Sequence, residues 1–308
     1  MNQSTRLKGI CFAAFSAFLL GLGPMMCKIA YQTGGNPLTV TFLRTAIAMP
    51  MLLALLKIKG VSLRLPSSCL RSVILAALIG GSVSGLLLNM SFLYISSGLA
   101  TTLRFVYPAL TALGGWIFFK ERLHPLGWAA LAAVTLGIAL FSHDTLAVQA
   151  KGAVLALLSG TGYAFYILFF THSGLKGQNP LLLTFYFCSV ITVSTGILGL
   201  LTGGFSFSMT PSGWGIIFLA SLCNSIGGTL LFQIGMRLAG PADASILSAL
   251  EPITSVLCGT LFFRETLNAM EGIGCLTVFA GLFLLLYDQN KRSNRSGRSG
   301  SGNSASFS

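Results

Sequence analysis

Five stretches of this chain, Gly9–Cys27, Ser72–Ile95, Gly152–Thr171, Pro180–Leu201 and Trp214–Met236, carry no charged residue. A helix needs about 20 apolar residues to cross a hydrocarbon layer about 30 Å thick, and each stretch is near that length. Pro125–Phe141 and Gly272–Tyr287 are shorter but equally apolar, and Pro37–Leu56, Gly98–Phe119 and Ala242–Phe263 span with a few ionisable residues inside. The pattern predicts an all-α polytopic membrane protein of ten transmembrane helices, with no stretch left for a soluble domain. Charged residues are 8% of the chain, against about 25% in soluble domains, too few to cover a water-facing surface.

The spans are written twice. Phe105–Leu123, FVYPALTALGGWIFFKERL, returns as Ala249–Leu267, ALEPITSVLCGTLFFRETL, at an offset of 144. Asn36-Pro37 returns as Asn179-Pro180, Lys8-Gly9 as Lys151-Gly152, and Asn89 corresponds to Gln233. Residues 1–148 and 149–287 therefore each hold one five-helix repeat. An odd number of crossings puts the second copy into the membrane from the opposite face. Such inverted repeats, with a site near the midplane between them, are a mark of secondary transporters.

The paired segments Pro108–Leu123 and Pro252–Leu267 resemble the EamA-type family of the drug/metabolite transporter superfamily. Each has a small-residue-rich helix with a proline, then an FFKERL or FFRETL turn and a glycine-bearing last helix. The resemblance covers about residues 7–287. It implies a ten-helix carrier of small metabolites, often exporting, in a cytoplasmic membrane with both ends cytosolic. Lys120 and Arg264 stand where that family commonly has glycine before the glutamate.

The formal charge of +12 is explained by topology. With the N-terminus inside, fourteen of the nineteen basic residues fall on cytosolic segments, as the positive-inside rule requires. No nucleic-acid partner is implied. Arg6 and Lys8 ahead of an apolar run imitate a secretory signal, but nine further spans make it a retained first helix. Residues 288–308, rich in Ser, Gly, Lys and Arg, read as a disordered basic tail on the cytosolic side.

Candidate functional residues cluster where prolines interrupt the fourth and ninth helices. A helix-interior proline exposes the carbonyl four residues back, and such backbone is tolerated in a membrane only against protein or a watery cavity. Pro108 and Pro252 are the expected kinks. Thr101, Arg104, Thr111 and Gly115 share a face with the first; Ser245, Ser248, Ser255 and Gly259 share one with the second. Glu251 lies about 13 Å into its span at 1.5 Å per residue, and an intramembrane carboxylate is by default a functional group. It is a candidate proton carrier, or else the structural partner of Arg104 or Arg44.

The substrate site is expected from Arg104, Tyr107, Thr111, Asn89, Gln233, Ser248, Glu251 and Ser255. Asn224 and the aromatic group Tyr163, Phe165 and Tyr166 are further candidates. An arginine fork suits a carboxylate or phosphate, which points to an anionic or zwitterionic substrate; Arg44 is read as the more structural of the two. Gly21–Pro24, GLGP, marks a kink in the first helix.

No enzyme constellation is present in the sequence. His124, His143 and His172 are scattered at span ends, and GGSVSG at Gly80 places Ser84 where a nucleophile elbow requires glycine. The seven cysteines show no metal-ligand spacing, so neither metal nor cofactor is expected. A channel would carry a repeated filter or a charged ring. The expected partners are a small-molecule substrate, the lipid bilayer and, for a carrier of this kind, a second copy of the chain as a homodimer. The carrier reading has a variant, an exchanger of organic anions, sugar phosphates or nucleotide sugars.

Overall fold

A computed structural model describes residues 3–120, 147–239 and 247–265, with isolated positions at 128, 129, 132, 136, 272, 273, 276, 277 and 280. The described residues are helical with short connections and contain no strand. Among the described residues, seven helical stretches are long and apolar enough to cross a membrane: Thr5–Gln32, Pro37–Ile58, Ser67–Ser91, Ser97–Phe119, Gln149–His172, Pro180–Thr202 and Pro211–Ala239. An eighth apolar helix, Leu250–Phe263, is shorter. Apart from those isolated positions, the expected fifth and tenth spans lie outside the described residues, as do the start of the expected ninth, Glu121 and the basic tail.

Most spans are broken. The first is α1 (Gln3–Gly21) and α2 (Gly23–Gln32), the second α3 (Pro37–Ile58). The third consists of α4 (Ser67–Ala77), a π-helical segment Leu78–Val83, and α5 (Ser84–Ser91). The fourth is α6 (Ser97–Arg104) and α7 (Tyr107–Phe119); α8 (Ala147–His172) and α9 (Pro180–Thr202) follow. Next come α10 (Pro211–Ala220), a second π segment Ser221–Gly228, α11 (Thr229–Ala239) and finally α12 (Leu250–Phe263).

These irregularities follow the repeat. Moving Leu78–Val83 along by 144 residues places it inside the second π segment. The turn at Phe105–Val106 that separates α6 from α7 corresponds to the turn at Ala249 before α12. Lys120 and Arg264 end α7 and α12 in left-handed conformations, φ 54° and 52°, and each amide bonds back to the matching glycine carbonyl, Gly115 or Gly259. Asn36 and Asn179 each cap a helix whose first residue is proline, the arrangement favoured at helix N-termini.

The prolines therefore do something other than kink a continuous helix. Pro108 is the second residue of α7 and Pro252 the third of α12. In a first turn the missing N–H has no intrahelical acceptor to lose. The carbonyl of Arg104 is nonetheless freed as expected, and the backbone of α8 comes close to it at Gly160. A Cβ on Gly160 would sit 2.7 Å from that oxygen.

Helices at matching places in the two copies run antiparallel and pack side by side. Between α3 and α9, Asn36 donates to the carbonyl of Gly204 (2.8 Å) and Thr192 to Thr45 (2.9 Å). Between α6 and α12, Thr101 and Ser255 share a 3.1 Å hydrogen bond, and Arg104 meets Glu251. The copies also interlock: α1 packs on α11, and α5 packs on α8. Ser16 donates to the carbonyl of Gly228, and at the corresponding place Ser84 donates to that of Ser159. Gly9 against Ala239 is matched by Gly152 against Ile95.

Polarity is arranged for a lipid surround. Phe12, Phe15, Phe18, Leu200, Leu201, Leu261 and Phe262 are exposed on the outside, whereas Ser16, Thr41, Thr45, Ser84, Asn89, Thr101, Ser159 and Ser255 are buried. Small residues and hydroxyls let membrane helices approach closely and hydrogen-bond across the contact.

Candidate substrate-binding site

The two π segments, the break between α1 and α2, the end of α6 and the start of α12 surround one cavity of about 130 Å3. A π-bulge adds a residue to one turn and leaves a distorted backbone, a feature concentrated at functional sites. Here the first contributes Gly80 and Gly81 to the wall and the second contributes Asn224 and Ser225. The local reason is composition: LIGGSV and SLCNSIGG are rich in glycine and serine. Hydroxyls reach back over five residues within them, Ser82 to the carbonyl of Ala77 and Thr229 to that of Asn224.

Three charged side chains face this space: Arg44 from α3, Arg104 from the end of α6 and Glu251 from the start of α12. Nη1 of Arg104 is 3.5 Å from Oε1 of Glu251, and its guanidinium carbon lies 4.4 Å from the centroid of the Tyr163 ring. The pair is long for a hydrogen bond, so attraction between the charges dominates. The aromatic face adds cation–π stabilisation. Nε of Arg104 and Nε of Arg44 are buried and have no partner among the described residues.

Of the residues expected from sequence, Asn89, Arg104 and Glu251 line the cavity. The side chain of Asn89 donates to the Thr41 hydroxyl (2.7 Å), and its backbone carbonyl accepts from Tyr31 (3.3 Å). Tyr107 and Ser248 stand behind the charged pair, oxygen to oxygen 3.3 Å, with the Tyr107 ring edge-on to Tyr163. Ser255 joins α12 to Thr101 and to the carbonyl of Ser97. Thr111 donates to the Tyr107 carbonyl in its own helix. Gln233 is buried in α11 with Oε1 unpartnered among the described residues, away from the cavity wall. Tyr163 and Tyr166 are on the wall, while Phe165 is exposed.

Sequence reading undervalued three contributors. Gly80 and Gly81 offer no functional group to read, and Gly85 and Ser225 read only as sharing helix faces with Asn89 and Gln233. Arg44 reads as structural because the family resemblance implies a basic residue in that helix, whereas it lines the cavity wall.

Beside the wall at Cys27 and Phe92, a knot of polar groups ties three helices. Lys28 of α2 pairs with Glu265, just past the end of α12. The other oxygen of Glu265 accepts from the amide (3.1 Å) and hydroxyl (2.9 Å) of Ser97, at the start of α6. Lys28 also donates to the carbonyl of Ile95 at 3.4 Å. A carboxylate at a helix N-terminus meets unsatisfied amides there. The left-handed turn at Arg264 aims Glu265 back at this point.

A profile of the EamA-like transporter family matches the chain twice, over residues 7–143 and 150–287. An uncharacterized transporter of Synechocystis sp. is 28% identical over 210 residues, 66% of this chain and 63% of that protein. The Escherichia coli threonine/homoserine exporter RhtA is 27% identical over 197 residues, 62% of this chain and 64% of that protein. An uncharacterized transporter of Archaeoglobus fulgidus is 25% identical over 252 residues, 82% of this chain and 89% of that protein. The chain spans just under two thirds of the length of the Synechocystis relative and of a Bacillus subtilis one. A solved crystal structure matches with a TM-score of 0.63 at 18% identity, covering 92% of this chain and 96% of that one; at that identity it speaks for the fold alone.

Proposed function

The chain belongs to the EamA-like transporter family, and we propose that it is a secondary active transporter of a small metabolite, working by alternating access. In this reading ten helices form two five-helix copies inserted in opposite orientation in a cytoplasmic membrane, with both termini cytosolic. One copy rocks against the other around the central cavity. The observation that carries the reading is that the matching π segments, one from each copy, open onto the same cavity, whose wall also carries Arg44, Arg104 and Glu251. Irregular backbone at membrane depth is tolerated where it lines such a space.

Glu251 is the residue best placed to carry a proton. It faces the cavity, and its only charged contact among the described residues is the long one to Arg104. Proton binding would release Arg104 and change the charge of the wall, linking protonation to substrate contact.

The cavity's size bears on the substrate. An apolar cavity of about 150 Å3 holds a benzene molecule, so about 130 Å3 suits a solute of amino-acid size. The name of the Escherichia coli relative makes threonine and homoserine the first solutes to try. The two arginines favour an anion exchanger as the second reading, but a nucleotide sugar is far larger than this space.

Counterflow in proteoliposomes tests the proposal. Vesicles preloaded with the unlabelled solute accumulate the labelled form transiently if the protein is a carrier. Conductive uptake with no counterflow overshoot would identify a channel, and an altered product would identify an enzyme.

A further inference from the structure

Among the described residues, the charges on the cavity wall do not balance. Two guanidinium groups face one carboxylate, and that carboxylate is engaged by Arg104. Arg44 is left over. It lines the same cavity, its Nε is buried, and no ion pair or hydrogen bond reaches it from a described residue. Arginine stays charged in proteins, and a buried unpaired charge is costly. A purely structural arginine at this depth would be expected to reach a carboxylate or a row of carbonyls.

Arg44 instead faces open space. Gly85 shares the wall, and a Cβ added to it would meet nothing within 4 Å. Ser225, on the same wall, has a buried hydroxyl with no partner among the described residues. Unmatched donors therefore converge on a space in which no described residue accepts from them.

We propose that Arg44 is the anchor of the substrate's carboxylate, and that the substrate class is carboxylate-bearing metabolites of amino-acid or hydroxy-acid size. This rests on the carrier reading and names what is carried. The planar fork of arginine matches a carboxylate through two parallel hydrogen bonds, and Ser225 is a further donor. The excess wall charge of one positive unit matches the net charge of a hydroxy or keto acid; an amino acid adds an ammonium that shares Glu251 with Arg104. A phosphate monoester, carrying about −1.5 to −2 at neutral pH, would leave the wall overcompensated. Arg104 then serves mainly to hold Glu251, reversing the order of importance read from the sequence.

The test uses the full-length protein in detergent and reads thermal stability, since a ligand that binds only the folded state stabilises it by mass action. The probes are the common amino acids, the three- to six-carbon hydroxy and keto acids, the carboxamide of each, and glycerol 3-phosphate. The expected result is that at least one acid raises the melting temperature while its amide does not. R44Q should remove that shift, and R44K, which keeps the charge but loses the fork, should weaken binding about tenfold.

The proposal is overturned if no acid stabilises the protein, if acid and amide act alike, if glycerol 3-phosphate alone stabilises, or if R44Q keeps the full shift. The acid–amide comparison needs no mutation, so it stands even if R44Q fails to fold. Counterflow of the same acid separates this proposal from the carrier reading. Flux that persists in R44Q sinks the anchor alone, whereas Arg44-dependent binding without flux sinks the carrier alone.

Discussion

Nη1 of Arg104 lies 3.5 Å from Oε1 of Glu251, and the two residues come from different copies of the repeat. The contact joins α6 to α12 where both spans are broken, so it couples the halves at the cavity itself.

Removing one member of this pair leaves the other charge uncompensated. Each side chain retains some exposure to the cavity, 17% and 13%, which lowers the cost below that of a fully buried pair. R104Q and E251Q are each expected to destabilise the protein by about 1–3 kcal/mol. The double variant should lose less than the sum, with a coupling of at least about 0.5 kcal/mol. Thermal unfolding of the four proteins checks this.

E251Q is also expected to abolish the response of transport to a pH gradient while the protein remains folded. The check is flux into proteoliposomes with and without an imposed gradient. An unchanged response would remove Glu251 from the coupling step.

Glycines packed against a neighbouring helix and a glycine facing open space should behave oppositely. A Cβ on Gly80 would land on Tyr166, and one on Gly9 would sit 2.5 Å from the backbone nitrogen of Ala239. G80A and G9A are expected to cost about 1–3 kcal/mol through overpacking. G85A has free space around it and should leave stability almost unchanged, whereas G85L should fill the cavity and stop transport in a protein that still folds.

Lys120 and Arg264 hold left-handed conformations, φ 54° and 52°, that cost non-glycine residues about 1–2 kcal/mol. Part of this returns as the greater chain entropy of an unfolded glycine. K120G and R264G are each expected to stabilise the protein by about 0.5–1 kcal/mol, read as a raised melting temperature.

Much of this architecture is legible in the sequence because the offset of 144 is carried by residues that shape backbone: Pro108 and Pro252, Gly115 and Gly259. Asn36 and Asn179 mark two helix starts in the same way at an offset of 143. The π segments are not legible. LIGGSV and SLCNSIGG share little beyond small residues, and hydrophobic periodicity does not distinguish a π turn from an α turn over so short a run. The partner of Glu251 is not legible either. Arg44 and Arg104 lie at similar depths, and only the antiparallel register of α6 against α12 decides between them. Reading Pro108 as a kink in one helix was natural from spacing, whereas the chain instead ends α6 at Arg104 and starts again at Tyr107.

In the proposed transport cycle one cavity is open alternately to the two faces of the membrane. Sided labelling at Ser225 tests it most directly. The native thiols of Cys27 and Cys188 also line the cavity, so S225C is placed in a cysteine-free chain and exposed to an impermeant thiol reagent from either face of oriented vesicles. The account predicts reaction from both faces, with E265Q, which loosens the tie to Lys28 and Ser97, raising the rate from the face at which α2 ends and lowering it from the other. Labelling from one face only, unaltered by E265Q, would contradict it.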